Sequence, residues 1–351
     1  MISEPTTTIY SPPPLRQPNR RWILVLLTLG LASTLLLTFL AGAAQTFSLL
    51  LNANLFFVAC MIFFQTLRYV AMTISTRVVA AIVGLRVPLL PMFQTTVAAS
   101  AANRTFIGGA AGLVIRGAFF LKRGMHGGTF AAVEGIEDVV SLCAISLMFI
   151  AGLAVVAASG AGAGLRWDVI AIFVVGAIAL VYTVVMFVRQ RVLVERAADS
   201  IARGVNRVIG KILRRNLYDA ERVRGAVNDF YCALAFARRE PLRVFISFLC
   251  AFARLACDWI ALYFAFRAIG YDVAPGTVLL IFVVSSSIAT LAAVPGQIGV
   301  LETTLAFMST ALGIPAPVAV SATVLYRLVS FWLPIPFGYA FAWHLERRGM
   351  I

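Results

Sequence analysis

The chain has few charged residues, few cysteines and very few histidines for its length. Only 13% of its 351 residues are charged and 61% are hydrophobic, whereas a typical soluble domain has about 25% charged and about 45–50% apolar residues. This balance argues against a soluble enzyme, a disordered protein and a nucleic-acid-binding protein. It is typical of a polytopic membrane protein.

The five cysteines and two histidines form no recognisable metal or disulfide pattern. No two cysteines form a C-x-x-C pair, and neither His126 nor His344 has a cysteine or second histidine at ligand spacing. The sequence also lacks a phosphate-binding loop and the H-E-x-x-H motif of zinc proteases. We therefore expect no cofactor, no metal site and no enzymatic activity.

Acidic residues are scarce beside basic ones, with 15 against 29 and a net charge of +14. Lysine and arginine gather in the cytoplasmic loops of membrane proteins and set their orientation. No basic run here is interleaved with aromatic residues that could stack on bases. The excess of positive charge therefore predicts a membrane topology and no nucleic-acid partner.

Six apolar stretches have the length of about 20 residues that a membrane span needs. They are 22–42, 50–74, 129–157, 168–188, 243–267 and 316–343. Residues 1–21, which precede them, are rich in Pro, Ser and Thr and predict a disordered cytoplasmic tail. Because the first stretch is longer than the core of a signal peptide, about 7–15 residues, we expect it to be an uncleaved helix.

Two further apolar stretches, 88–121 and 277–312, are interrupted in the middle by glycine and proline. The first break runs from Asn103 to Gly112, and the second covers residues 295–299. Such breaks predict re-entrant helical hairpins, whose irregular backbone must be surrounded by protein or a wet cavity. If both stretches enter and leave on one side, every basic cluster and both termini face the cytoplasm.

These segments predict two membrane halves that run in opposite directions. The first half is 22–188 with its hairpin at 88–121, and the second is 243–346 with its hairpin at 277–312. Between them, residues 189–242 predict amphipathic cytoplasmic helices that either contact anionic lipid or cap the bundle. The predicted fold class is an all-α polytopic membrane helix bundle, an inverted repeat with two re-entrant helical hairpins, which is typical of transporters.

Ionisable residues within apolar segments indicate candidate sites, since each costs about 2.5–3.5 kcal/mol on insertion scales. In the first half, Arg116 follows the break, and Glu137 and Asp138 lie in the next span. In the second half the signs are exchanged, with Glu302 after the break and Arg327 in the next span. The charges could pair between the halves, Arg116 with Glu302, or within each half.

Such charges either lock the bundle together or leave one cation to engage a phosphate, with half-helix N-termini adding N–H donors. Arg254 and Asp258 can also pair locally, since they lie four residues apart on one helix face. The candidate substrate-binding residues are Arg116, Glu302, Arg327, Glu137, Asp138, Gln297 and Asn103.

The second break and the span after it resemble the signature of the lysylphosphatidylglycerol synthase transmembrane-region family, a flippase-like membrane domain. The family pattern Pro-Gly-x-x-Gly-x-x-Glu matches residues 295–302, and a following Tyr-Arg matches Tyr326 and Arg327. The chain departs from the family at Gln297, where a glycine is common, and at Leu113, where an acidic residue is common. The looser match in the first half involves Asn103, Gly109, Gly112, Arg116, Gly124, Glu137 and Asp138.

The resemblance implies a bacterial inner-membrane protein that moves or presents lipids such as aminoacylated phosphatidylglycerol, polyprenyl-linked sugars or hopanoids. Membrane lipids are its implied partners, and a lipid-modifying enzyme or a second copy of the chain stays open. In the family's bifunctional members a soluble aminoacyl-transferase domain follows the membrane part, whereas this sequence stops at Ile351, directly after its last predicted span, so we expect no lysyl transfer. The leading hypothesis is translocation of an amphipathic lipid. The alternatives are an accessory subunit of a lipid or glycan pathway and a transporter of a small soluble anion.

Overall fold

Every regular element in the described part of the chain is helical, which confirms the all-α prediction. The predicted tail, the first predicted span, most of the span 168–188 and Pro295-Gly296 lie outside the described residues. The computed structural model describes residues 43–105, 111–158, 189–205, 219–292 and 297–351, with isolated positions between 175 and 186.

The helices are numbered here in chain order, with one π-helical turn between the last two. They are α1 (Ala43–Leu51), α2 (Leu55–Ile82), α3 (Leu89–Thr105), α4 (Ala111–Leu121), α5 (Gly127–Ala158), α6 (Arg191–Val205), α7 (Ala220–Arg239), α8 (Pro241–Ala268), α9 (Pro275–Leu291), α10 (Val300–Ala311), α11 (Ala316–Arg327), the π-turn (Leu328–Trp332) and α12 (Pro334–Arg347).

Four segments of the described chain are long and apolar enough to cross a membrane. They match the predicted spans 50–74, 129–157, 243–267 and 316–343, and they support a multi-pass membrane protein. The four segments are Leu55–Ile82, Gly127–Gly152, Pro241–Ala268 and Ala316–Arg347.

The helix α2 differs from its predicted bounds at both ends. It begins at Leu55 because the side chain of Asn54 accepts a hydrogen bond from the Phe56 N–H (2.9 Å) and caps the helix. It continues to Ile82, beyond the predicted end at residue 74, so Arg77 lies within the helix. The Arg77 Nε donates to the carbonyl oxygen of Val87 at 2.8 Å, which holds the connection to α3 against α2.

The helices of the two predicted halves repeat in length at a constant shift of 186 residues. This shift carries the first residue of α2, Leu55, to the first residue of α8, Pro241, and both helices have 28 residues. The same shift carries α3 to α9, which have 17 residues each. Two residues beyond α2 and α8 stand Gly84 (φ 84°) and Gly270 (φ 77°), whose left-handed backbone ends both helices alike.

The two long equivalent helices, α2 and α8, pack against each other at the centre of the described bundle. Around them, helices of one half pack on helices of the other: α3 of the first half packs on α12 of the second, and α9 of the second packs on α5 of the first. The first of these contacts is close: a Cβ atom at Gly338 would lie 2.3 Å from the Cβ of Ala101. The packing brings both interrupted stretches, α3–α4 and α9–α10, beside the central helices. Their re-entry from one membrane face stays a prediction.

In the described residues of the connector 189–242 lie the helices α6 and α7. Helix α7 packs on α5, and α6 packs on α7. A Cβ at Gly128 would lie 2.0 Å from the carbonyl oxygen of Ala226, so α5 and α7 approach too closely for a side chain there. The connector is therefore packed onto the first half through α7, and α6 keeps the exposed arginines Arg191 and Arg203.

Candidate functional site: an arginine-lined cavity between the two halves

A cavity of about 510 Å³ lies among helices of both halves. This volume is within the range of about 300–1,000 Å³ that is usual for small-molecule sites. Its lining combines four arginines with hydroxyl and amide side chains and a few apolar residues. The polar and charged lining residues are Arg68, Ser100, Asn103, Arg104, Asp138, Ser141, Arg254, Asp258, Ser286, Thr290, Gln297, Tyr326, Arg327 and Ser330.

Arg68 on α2 is neutralised by Asp258 on α8. The Arg68 Nε and the Asp258 Oδ2 are 2.9 Å apart, and the other carboxylate oxygen accepts a hydrogen bond from the Gln65 side chain at 2.9 Å. Asp258 is only 7% exposed, so both of its oxygens are used inside the protein. The predicted local pair of Arg254 with Asp258 does not form, because Arg68 and Gln65 occupy the carboxylate.

Arg254 occupies the position on α8 that is equivalent to Arg68 on α2, at the same shift of 186 residues. No hydrogen bond or ion pair joins it to any residue within the described ranges. Arg68, Asp258 and Glu137 are charged groups close enough to interact with it electrostatically. Two equivalent arginines thus differ in one respect: Arg68 has a carboxylate partner, and Arg254 lines the cavity without one.

Arg104 on α3 is held by the π-turn of the other half. Its Nη1 donates to the carbonyl oxygen of Phe331 at 2.9 Å, and its guanidinium carbon lies 5.5 Å from the centre of the Phe331 ring. The Arg327 guanidinium lies 4.3 Å from the same ring. Both arrangements are cation–π contacts. Phe331 therefore positions two arginines, one from each half, at the cavity wall.

The Glu302 carboxylate closes the second interrupted stretch. One of its oxygens lies 2.7 Å from the Arg327 Nε, and the other accepts a hydrogen bond from the Gly299 N–H at 2.8 Å. Glu302 and Arg327 are 3% and 5% exposed. The pair fixes the start of α10 to α11, and Gly299 enters the helix with a φ of 82° that a side chain would strain.

Arg116 belongs to a separate cluster in the first half. Its Nη2 lies 2.5 Å from an oxygen of Glu137, and its Nε lies 2.9 Å from an oxygen of Glu134. The Nη2 also donates to the hydroxyl of Thr76 at 3.2 Å. Of the two pairings that the sequence left open, the structure has the internal one in both halves: Arg116 pairs within the first, and Arg327 with Glu302 within the second.

Asn103 closes the first interrupted stretch, as Glu302 closes the second. Its side-chain oxygen accepts a hydrogen bond from the Gly112 N–H at 2.6 Å. A Cβ at Gly112 would lie 2.6 Å from both the Asn103 side chain and the Ala99 carbonyl oxygen, so this approach requires glycine. Asn103 is also one of the residues that line the cavity.

The candidate residues from the sequence divide into two groups in the structure. Asn103, Asp138, Gln297 and Arg327 line the cavity. The remaining three, Glu302, Arg116 and Glu137, take part in ion pairs behind it. Their assignment as substrate-binding residues stays a prediction.

The cavity also contains residues that the sequence reasoning did not select as a site. Arg68, Arg254 and Asp258 could have been identified from the sequence, since they are charged residues in apolar spans. Arg104 follows Asn103 directly and lies at the edge of the first break. Its position beside a predicted hairpin tip could have identified it as a candidate site residue.

The sequence is similar to those of known membrane proteins. The sequence model of the lysylphosphatidylglycerol synthase TM region matches residues 23–338. A UPF0104 membrane protein of Pyrococcus horikoshii is 21% identical over 327 residues, which are 90% of this chain and 94% of the relative. A UPF0104 membrane protein of Methanothermobacter thermautotrophicus is 25% identical over 177 residues, 50% of this chain and 52% of the relative. A third, from Methanocaldococcus jannaschii, is 26% identical over 123 residues, 35% and 37% of the two chains.

The matched region contains every helix that lines the cavity, and it confirms the resemblance seen at residues 295–302. The chain therefore belongs to the lysylphosphatidylglycerol synthase transmembrane-region family.

Proposed function

We propose that this protein moves a phosphate-bearing amphipathic lipid across the membrane, with the headgroup passing through the arginine-lined cavity and the acyl chains staying in the bilayer. In this proposal the stretches α3–α4 and α9–α10 are re-entrant hairpins of an inverted repeat. The equal helix lengths and the placement of the basic clusters support that arrangement. The membrane is the cytoplasmic one, and both termini face the cytoplasm.

The observation that carries the proposal is the unequal pairing of the cavity charges. Arg68 and Arg327 have carboxylate partners, whereas Arg254 has none in the described part of the chain and Arg104 is held by a backbone carbonyl. An arginine in a membrane cavity is costly unless an anion accompanies it. A guanidinium binds a phosphate through two parallel N–H donors, so a lipid phosphate fits the Arg254 side chain in the cavity wall.

The proposal is tested with the purified full-length chain in vesicles that contain a fluorescent phosphatidylglycerol. A membrane-impermeant reductant bleaches the label in the outer leaflet, and further bleaching reports lipid arriving from the inner leaflet. We expect wild-type protein to accelerate this second phase, and Arg254→Gln to slow it by about tenfold or more, since a charged hydrogen bond to phosphate is lost. Arg254→Lys keeps the charge but not the two-pronged geometry, and should give an intermediate rate.

The matched control is Arg267→Gln on the same helix. Arg267 pairs with the exposed Asp272 at the end of α8, away from the cavity, and should leave the rate unchanged. Equal rates for wild type and Arg254→Gln would contradict the proposal. Vesicles loaded with labelled inorganic phosphate separate the alternatives: release of phosphate without lipid movement indicates a soluble-anion transporter, and movement of neither supports an accessory role.

A further inference from the structure

We propose that Gln297 selects the headgroup, by binding a neutral hydroxylated group at the end of the headgroup opposite to the phosphate. This inference rests on the proposed lipid transport and assigns the substrate class: phosphodiester lipids whose terminal group carries hydroxyls, as glycerol, inositol or a sugar does. It concerns the wall of the cavity that the arginines do not form.

That wall is polar but uncharged. Helix α9 contributes Ser286 and Thr290, which are four residues apart and share one face, and the turn after it contributes Gln297. Arg68, Arg104 and Arg254 come from other helices, α2, α3 and α8. A headgroup that places its phosphate on the arginines therefore meets the hydroxyl groups of α9 and the amide of Gln297 in the turn after it.

The backbone of Gln297 is in a conformation that disfavours a side chain. Its φ is +57°, and it is the one residue other than glycine with positive φ in the described chain. Such a conformation costs free energy for an L-residue, and persists where the surroundings enforce it, often at ligand sites. Glycine would adopt it without this cost, as Gly299 does two residues later. A carboxamide instead of glycine at this strained position, facing the cavity, indicates that the side chain itself is used.

The carboxamide has hydrogen-bonding capacity to spare. Its Nε2 lies 3.4 Å from the Thr290 hydroxyl oxygen, which is long for a hydrogen bond. The Thr290 hydroxyl donates its own proton to the Ser286 carbonyl oxygen at 2.7 Å, so it can act only as an acceptor towards Gln297. The Gln297 Oε1 accepts no hydrogen bond from any described residue. One donor and one acceptor on the same planar group match neighbouring hydroxyls of a polyol.

A cationic terminal group is a poorer fit for this wall. The carboxylate of Asp258 is occupied by Arg68 and Gln65. Asp138 also lines the cavity, but its charged neighbours are Arg116, Glu134 and Glu137, the cluster of the first half. The four cavity arginines exceed the two cavity aspartates, and this excess of positive charge opposes an ammonium group.

The test compares three fluorescent lipids in vesicles: phosphatidylglycerol, phosphatidylpropanol and phosphatidylethanolamine. The first two have the same phosphodiester charge and nearly the same size, and differ in the hydroxyls. We expect wild-type protein to move phosphatidylglycerol fastest. Gln297→Gly should lower the ratio of the phosphatidylglycerol rate to the phosphatidylpropanol rate by about 3- to 10-fold, mainly by slowing phosphatidylglycerol, because one or two neutral hydrogen bonds are lost.

Two further variants make the result specific. Gln297→Asn keeps a carboxamide on a residue that tolerates positive φ, so it should keep part of the preference, and it carries the comparison if the glycine variant fails to fold. Gln190→Gly, on the exposed connector, should change nothing. Because glycine relieves the strained φ, the unfolding temperature of Gln297→Gly should equal or exceed that of the wild type.

An unchanged ratio in Gln297→Gly, while Arg254→Gln still slows transport by about tenfold or more, would overturn the role of Gln297 and leave the proposed function intact. A wild-type preference for phosphatidylethanolamine would overturn the substrate class and point to Asp138 as the group that binds the amine. Absence of any lipid movement would instead refute the proposed function, and with it this inference.

Discussion

The two halves of this protein have the same helical frame and different charges on it. Helices α2 and α8 have 28 residues each, α3 and α9 have 17 each, and both long helices place an arginine at the same step, Arg68 and Arg254. Yet an aspartate at the corresponding place occurs only once, as Asp258, where the first half has Met72. The repeat thus provides the walls of the cavity. The single carboxylate of Asp258 pairs with Arg68, and the equivalent Arg254 has no ion-pair partner among the described residues.

The ion pairs behind the cavity differ in the same way. In the second half, Glu302 and Arg327 form one deeply buried pair, and in the first half Arg116 shares two carboxylates, Glu134 and Glu137, which are somewhat more exposed. Removing the partner of a buried charge lowers the free energy of unfolding much more when no second partner remains. The second half should therefore be the more sensitive of the two.

The largest expected effect tests this difference. Glu302→Ala removes the carboxylate from Arg327 and the cap from Gly299, so we expect the free energy of unfolding to fall by about 3–5 kcal/mol. Glu137→Ala leaves Arg116 with Glu134, and should cost about 1 kcal/mol. Denaturant unfolding in detergent, followed by helical circular dichroism, measures both. Equal losses would show that the two pairs are energetically alike despite their different burial.

The next effect concerns the equivalent arginines. Arg68→Gln leaves the buried Asp258 with only Gln65, and we expect a loss of about 2–3 kcal/mol in the free energy of unfolding. Arg254→Gln breaks no ion pair in the described chain, and should change stability by less than about 1 kcal/mol while it slows transport. If Arg254→Gln destabilises as much as Arg68→Gln, then Arg254 holds the bundle together and the phosphate assignment loses its basis.

The smallest expected effect distinguishes the two interrupted stretches. Gly112→Ala places a methyl group 2.6 Å from the Ala99 carbonyl oxygen and from Asn103, so α4 must move away from α3, at about 1–3 kcal/mol. Gly299→Ala meets no atom within 4 Å but must adopt a φ of 82°, which costs about 1–2 kcal/mol. The same unfolding assay, combined with Asn103→Ala, checks the mechanism: removing the Asn103 side chain should relieve part of the Gly112→Ala loss and none of the Gly299→Ala loss.

The membrane spans that the structure describes were predictable because hydrophobic length is a local property of the sequence. The four spans that the structure describes lie where the apolar stretches predicted them. The predicted bounds of α2 were wrong at both ends. Asn54 caps the helix after the predicted start, and the Arg77 side chain binds the Val87 carbonyl beyond the predicted end. Neither contact can be predicted from hydrophobicity. Helix α8, in contrast, begins two residues before its predicted span because Pro241 suits the first turn of a helix.

The cavity was harder to predict than the spans, because it depends on which charges meet in three dimensions. The sequence indicated Arg327, Asp138, Asn103 and Gln297, all near the breaks or in the spans after them. It did not show that Asp258 would pair with Arg68 and not with Arg254, which is four residues away on the same helix. The pair with Arg68 forms only because α2 packs on α8. The positive φ of Gln297 likewise arises from the folded turn and has no signal in residue type.

The π-turn at Leu328–Trp332 has a mechanical consequence. A wide turn of this kind is a common place for a helix to bend, because its backbone ladder is shifted by one residue; here the Leu333 N–H donates to the Leu328 carbonyl. Pro334 and Pro336 weaken the ladder further, since neither has an N–H to donate. Phe331 lies in this turn, where its carbonyl oxygen accepts a hydrogen bond from Arg104 and its ring contacts the guanidinium groups of Arg104 and Arg327. Bending of the chain at this turn would move the Phe331 carbonyl and ring, so Arg104 and Arg327 would shift together at the cavity wall.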